Sequence, residues 1–285
     1  MLKRTLFSLM LLAIAWSQPK SAVAQALLPY TLPLDEARLK EDGLRLAQDA
    51  ALQAQFQQYD EALARAQLAA QLLPGDPDVL ILLGSLYLQA SEPQPAQAIA
   101  TLNRAKTLQP DSSLVLFTLG NAYFKEAQYA QAAQSIESGL RVDPENPGAL
   151  FDLGNAYYKL GRSDQAIAQY EKALSSDPKF WAAVNNIGLV KYESGDVNGA
   201  IAQWQRALDL AENEETEPQL AIAVAKFRQG AQTLNSSNGA IAALERDPRY
   251  ASIDFLKENL WGEKLVTDTQ AFFNTPVLKE LLVQL

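Results

Sequence analysis

The 285-residue chain contains no histidine and no cysteine. Without imidazole it cannot run Ser-His-Asp hydrolysis or histidine acid–base catalysis, and it cannot bind a metal through histidine. Without a thiol it has no cysteine nucleophile, thiolate zinc or iron–sulfur site, disulfide or thioether lipid anchor. A cysteine-free chain also carries no record of the redox state of its compartment. Long apolar runs are scarce: the one conspicuous case, Leu6 to Trp16, is 11 residues and too short to cross a bilayer comfortably. No glycine-rich phosphate loop occurs, and no set of carboxylates or lysines has a spacing that demands a reaction. The chain is therefore expected to be neither an enzyme nor a cofactor carrier.

What is present at the start resembles a targeting segment. Lys3 and Arg4 precede the apolar run, and Ala22-Val23-Ala24 supplies small residues before a cleavage point. Residues 1–24 are expected to form a secretory signal peptide, the alternative being an uncleaved N-terminal anchor. Removing Lys3, Arg4 and Lys20 from 24 basic residues leaves 21 against 33 acidic ones, a net charge of −12. Such a charge disfavours nucleic acid and anionic lipid as partners. The exported chain is expected to be soluble.

With 48% hydrophobic residues, many of them Ala and Leu, the chain leans helical. Residues 25–42, with Pro29 and Pro33, read as an extended lead-in. A fixed period then appears. Gly84, Gly120, Gly154 and Gly188 are spaced 36, 34 and 34 apart. Ala62, Ala98, Ala132, Ala166 and Ala200 follow the same period, and Pro74, Pro110, Pro144 and Pro178 repeat with them. The units are 43–76, 77–112, 113–146, 147–180 and 181–214, with two extra residues of the second placed in the turn around Pro93 and Pro95. Proline lacks the N–H and clashes with the preceding turn, so each unit should end its second helix there. Asp111, Asp143 and Asp177 beside those prolines are expected to cap helices. Residues 215–248 read as a degenerate sixth unit: a helix over Gln219–Leu234, a turn at Asn235–Gly239 and a short helix to Arg246. Residues 249–285 read as C-terminal capping helices, the alternative being that the tail presents a partner surface or occupies a groove.

In the fourth unit the skeleton is Leu150, Leu153, Gly154, Tyr157, Ala166, Tyr170, Ala173 and Pro178; in the third it is Leu116, Leu119, Gly120, Tyr123, Ala132, Ile136, Gly139 and Pro144. This pattern resembles the tetratricopeptide repeat (TPR) family. The resemblance implies an all-α fold: a right-handed solenoid of antiparallel helix pairs, closed by the helical C-terminal cap. The first unit departs from the pattern, with Asp49-Ala50 where Leu-Gly is expected.

In that family the first helix of each pair lines a concave groove that holds peptide segments. Carried onto this chain, the groove positions are Ile81, Ser85 and Leu88 in the second unit, and Phe117, Asn121, Phe124 and Lys125 in the third. The fourth contributes Phe151, Asn155, Tyr158 and Lys159, and the fifth Asn185, Leu189, Tyr192 and Glu193. An Asn amide donates to and accepts from a peptide backbone at once, and aromatic rings offer rigid anchors. The family's carboxylate clamp places Lys four residues before the groove Asn; here Phe117 and Phe151 stand there, so the clamp is incomplete.

The implied function is a non-catalytic protein–protein interaction scaffold, an assembly or biogenesis factor with a protein or peptide partner and no nucleic acid, small-molecule substrate, cofactor or metal. The tail from Asp247 to Leu265 and the Ala-Val-Ala signal end resemble TPR proteins of cyanobacteria and plastids that assist photosystem assembly or pigment synthesis. That resemblance implies the periplasm, the thylakoid lumen or a thylakoid-membrane position, reached through the partner or an uncleaved N-terminus. A cell-envelope interaction protein and a metal-delivery protein using the carboxylate excess remain as alternatives.

Overall fold

The computed structural model of the chain describes residues 35–212, 214–230 and 234–284. The signal segment 1–24 and the first part of the lead-in, 25–34, lie outside the described residues. Among these residues the fold is all-α. Six helix pairs follow one another: α1 Glu36–Gln55 with α2 Tyr59–Leu72, α3 Pro77–Gln89 with α4 Pro95–Leu108, α5 Ser113–Lys125 with α6 Tyr129–Leu140, α7 Pro147–Lys159 with α8 Ser163–Ser176, α9 Trp181–Glu193 with α10 Val197–Leu210, and α11 Thr216–Arg228 with α12 Leu234–Arg246. A 3-10 turn, Pro248–Ala251, leads into α13 Ile253–Glu258, α14 Glu263–Phe273 and α15 Pro276–Leu282.

From α2 onward each helix of the pairs packs on the next. The first helices also touch across repeats, α3 on α5 and α5 on α7, so they form one layer of the stack. Glycine sets how closely each pair approaches. A Cβ on Gly154 would sit 2.4 Å from a ring carbon of Tyr170, and one on Gly188 2.5 Å from the indole nitrogen of Trp204. Gly84 and Gly120 stand in the same relation to Leu102 and Ile136. Tyr170 and Trp204 are fully buried over those glycines. Gly154→Leu is therefore expected to destabilise the chain by about 1–3 kcal/mol or more by overpacking, read as a fall in Tm by circular dichroism.

Three of the first helices are begun by a side chain that satisfies free N–H groups of the first turn. Asp76 accepts from the backbone N–H groups of Asp78 and Val79 at 3.0 and 3.1 Å, Ser112 from Val115 at 3.4 Å and Asn146 from Ala149 at 3.0 Å. The caps are thus Ser112 and Asn146 rather than Asp111 and Asp143. A cap must be the residue immediately before the helix, and Asp143 instead accepts from the Asn146 side chain at 3.0 Å. Asp177 closes α8 rather than opening α9.

Three boundaries differ from the sequence reading. The first helix begins at Glu36, so 36–42 is helical rather than extended. Ala50, at the glycine position of that unit, is fully buried, and Gly43 lies against Leu73. In the sixth pair the turn falls earlier. Gly230 has φ +83°, the left-handed region that ends a helix, and Asn235–Gly239 belongs to the start of α12. Asn and Ser favour helix starts as well as turns, and here they begin a helix, so the sixth pair is complete. Among the described residues no helix is long and apolar enough to cross a membrane.

Candidate partner-binding groove

The tail decides what the groove looks like. The 3-10 turn and α15 pack on α12, the last helix of the stack, while α14 lies across α9 and α11, two first helices. Leu260, Trp261, Leu265, Val266, Phe272 and Phe273 join Leu189, Tyr192, Trp204 and Leu220 in one apolar cluster. Polar contacts pin the same segment. Glu193 receives the backbone N–H groups of Lys264 at 3.1 Å and Leu265 at 2.9 Å, which caps α14 from another helix. Gly262 leaves room for it: a Cβ there would lie 2.2 Å from the Glu193 carboxyl carbon. The Tyr192 hydroxyl donates to Asp268 at 2.7 Å, and Arg228 pairs with the other Asp268 oxygen at 3.3 Å. The Trp261 indole donates to the buried Glu217 at 2.9 Å.

The groove positions expected in the fifth unit are therefore occupied from within. Asn185, Leu189 and Tyr192 are buried, and Glu193 is engaged by α14. In the second unit Ile81 and Leu88 are also buried in core, and only Ser85 keeps partial exposure. The two phenylalanines of the incomplete clamp turn towards their own units. Phe117 lies against Gly139, and Phe151 stacks with Tyr170 and Phe180 at centroid distances of 5.7 and 5.0 Å.

The remaining positions converge. Asn121, Phe124, Lys125, Asn155 and Lys159 line a cavity of about 630 Å³, together with Tyr129, Ile136 and Asp152. Lys257 and Glu258 of α13 form its opposite wall. Tyr158, Lys159 and Glu193 border a second, more open cleft of about 960 Å³ against Leu260–Glu263 and Val266. Asn155 has a structural duty as well: its side-chain oxygen accepts from the Tyr170 hydroxyl at 2.8 Å and from the Asn186 amide at 2.9 Å. Its own amide is left to donate. Asn121 is exposed and makes no such bonds. Burial pushes the Asp152 carboxyl up to about 6 and holds the Lys159 ammonium below its ordinary value. The Tyr158 hydroxyl is raised, first by burial and then by the Glu193 carboxylate.

Sequence reasoning missed Asp152, Tyr129, Ile136, Lys257 and Glu258. Asp152 had a signal, being the one acidic residue inside the first helix of its unit. Lys257 and Glu258 had none, because no repeat register ties the tail to the third and fourth units.

A family profile described as tetratricopeptide repeat matches residues 117–179 and again 151–215. The chain carries tetratricopeptide repeats. Solved structures of TPR proteins share the stack. MamA is 25% identical over 57% of this chain and 94% of its own, with a TM-score of 0.51. A thermophilic TPR protein of Thermus thermophilus, TTC0263, is 20% identical over 65% and 99%, with a TM-score of 0.53. YrrB, described as a TPR protein with an unusual peptide-binding site, is 20% identical over 61% and 89%, with a TM-score of 0.50. No curated protein matches the chain. The TPR stack makes this chain a scaffold for protein interaction. Among the described residues no group of three or more acidic side chains is arranged to hold a metal ion.

Proposed function

We propose that the chain is a non-catalytic assembly or biogenesis factor that holds a segment of a partner protein in the cavity between α5, α7 and α13. The observation that carries this reading is the cavity itself. It is the stretch of the first-helix layer where expected groove residues stay accessible, and it presents the Asn121 amide and two lysines one repeat apart beside the apolar edge of Phe124. A peptide backbone satisfies such an amide in both directions, and a ring beside it supplies an apolar anchor. The description of YrrB, which shares the fold, agrees with a peptide as ligand. The photosynthetic apparatus as the partner system, and an exported location in the periplasm or thylakoid lumen, rest on the tail and on residues 1–24 alone.

Because Asn155 also holds Tyr170 and Asn186, alanine there would disturb the stack. Asn121→Ala with Lys125→Ala changes two exposed residues and is the cleaner test. Affinity capture from the native host with this double variant is expected to lose the partner at least about tenfold, with Tm unchanged. Undiminished capture removes the cavity as the binding surface. Recovery of envelope components instead of photosynthetic subunits replaces the photosynthetic reading with the cell-envelope one.

A further inference from the structure

The cavity exists because of one position in the repeat. Ile136, Tyr170 and Trp204 are successive occupants of that position, each standing over the glycine of its first helix. Tyr170 fills its place and closes a polar rung, in which the Asn155 oxygen accepts from the Tyr170 hydroxyl and the Asn186 amide. One repeat earlier the corresponding residues are Ile136, Asn121 and Asp152. Ile136 is shorter and has no donor. That rung is open: Asn121 is exposed, and Asp152 lines the cavity with no hydrogen bond or ion pair among the described residues. Lys125, Lys159 and Lys257 line the same cavity, but none pairs with Asp152. A carboxylate drawn partly out of water without a partner is unfavourable, and burial accordingly raises its titration.

Resting on the groove reading above, we infer that this cavity receives a cationic side chain, arginine or lysine, of the partner segment at Asp152, with acidic residues beside it on that segment meeting Lys125, Lys159 and Lys257. A guanidinium suits the place best. Its several N–H donors reach the Asp152 carboxylate and the Asn121 carbonyl oxygen together, taking the parts that the Tyr170 hydroxyl and Asn186 amide play one repeat later. The three lysines outnumber Glu258 on the same lining, so acidic flanking residues fit there and a uniformly basic segment would meet like charge.

The test uses an acetylated peptide with one arginine between two glutamates, and the same peptide with citrulline, which keeps the shape and removes the charge. Both are titrated into the full chain and followed by NMR at the Asp152 carboxyl and the Asn121 amide. The arginine peptide is expected to shift both signals and to bind about tenfold or more tightly than the citrulline peptide. Asp152→Asn should erase that difference. Ile136→Tyr should place a ring and hydroxyl in the cavity beside Asn121 and abolish binding while leaving helical content intact. Equal binding of the two peptides to the wild-type chain overturns the inference and leaves the groove reading standing. Absence of binding by either peptide also overturns it, and the groove reading then answers to the Asn121 and Lys125 capture experiment alone.

Discussion

Trp261→Ala is expected to lower the stability of the folded chain by about 3–5 kcal/mol, the usual cost of emptying a large aromatic site in a core. Trp261 is 3% exposed and sits in the cluster that joins α14 to α9 and α11. Its loss also takes the indole donor from Glu217, 2.9 Å away, and leaves a buried carboxyl with less to hold it. The effect should be local before it is global. The N–H groups of Lys264 and Leu265, held by Glu193, should lose protection from hydrogen exchange ahead of those in α5 to α8. Neighbouring repeats interact only with each other, so the third and fourth units should keep their packing. Denaturant unfolding and amide exchange measure both parts. A variant as stable as the parent, with α14 still protected, would show that the tail rests on the stack without being part of its core.

Glu217→Gln is expected to act in the opposite direction and only above mild acidity. Burial raises the Glu217 carboxyl from its ordinary 4.5 to about 7, while the donors Trp261 and Asn185 pull it back and the nearby Glu215 adds to the rise. A group whose folded-state value is raised contributes stability that is fully present below the unfolded value of 4.5. That contribution is lost as pH rises through about 7. At pH 8 the ionised, buried carboxylate then costs about 3 kcal/mol, which glutamine avoids. The substitution keeps an oxygen for the Trp261 indole. Its amide can donate to the Asn185 side-chain oxygen, which is buried without a partner. Tm of the glutamine variant should exceed that of the parent at pH 8 and match it at pH 4.5. A constant difference across this range would rule out titration of Glu217 as the cause.

These two expectations meet at one contact, and that contact was illegible in the sequence. Trp261 and Glu217 are separated by 44 residues and share no repeat register. Glu217 lies in a run of acids just ahead of the helix expected over Gln219–Leu234, yet it belongs to the first turn of α11 and is buried. The repeats themselves were legible because their physics is local and periodic. A glycine about every 34 residues, with alanine and proline at set distances from it, leaves few ways to arrange two short helices. The groove was half legible. Periodicity located its positions, but not which of them a non-periodic tail would cover.

The stack of helix pairs from the second unit to the fifth, the glycines on which Tyr170 and Trp204 sit, and the exclusion of histidine and cysteine chemistry were all readable from the residues alone. Repeat register carries that information, since each unit needs only its neighbours to bury its apolar face. That α14 lies on α9 and α11, that Glu193 caps it instead of facing a partner, and that the open cavity gathers around Asn121 and Asp152 depended on the packed fold. Those outcomes depend on where residues as far apart as Glu193 and Lys264, 71 positions along the chain, come together, and no local propensity encodes that distance.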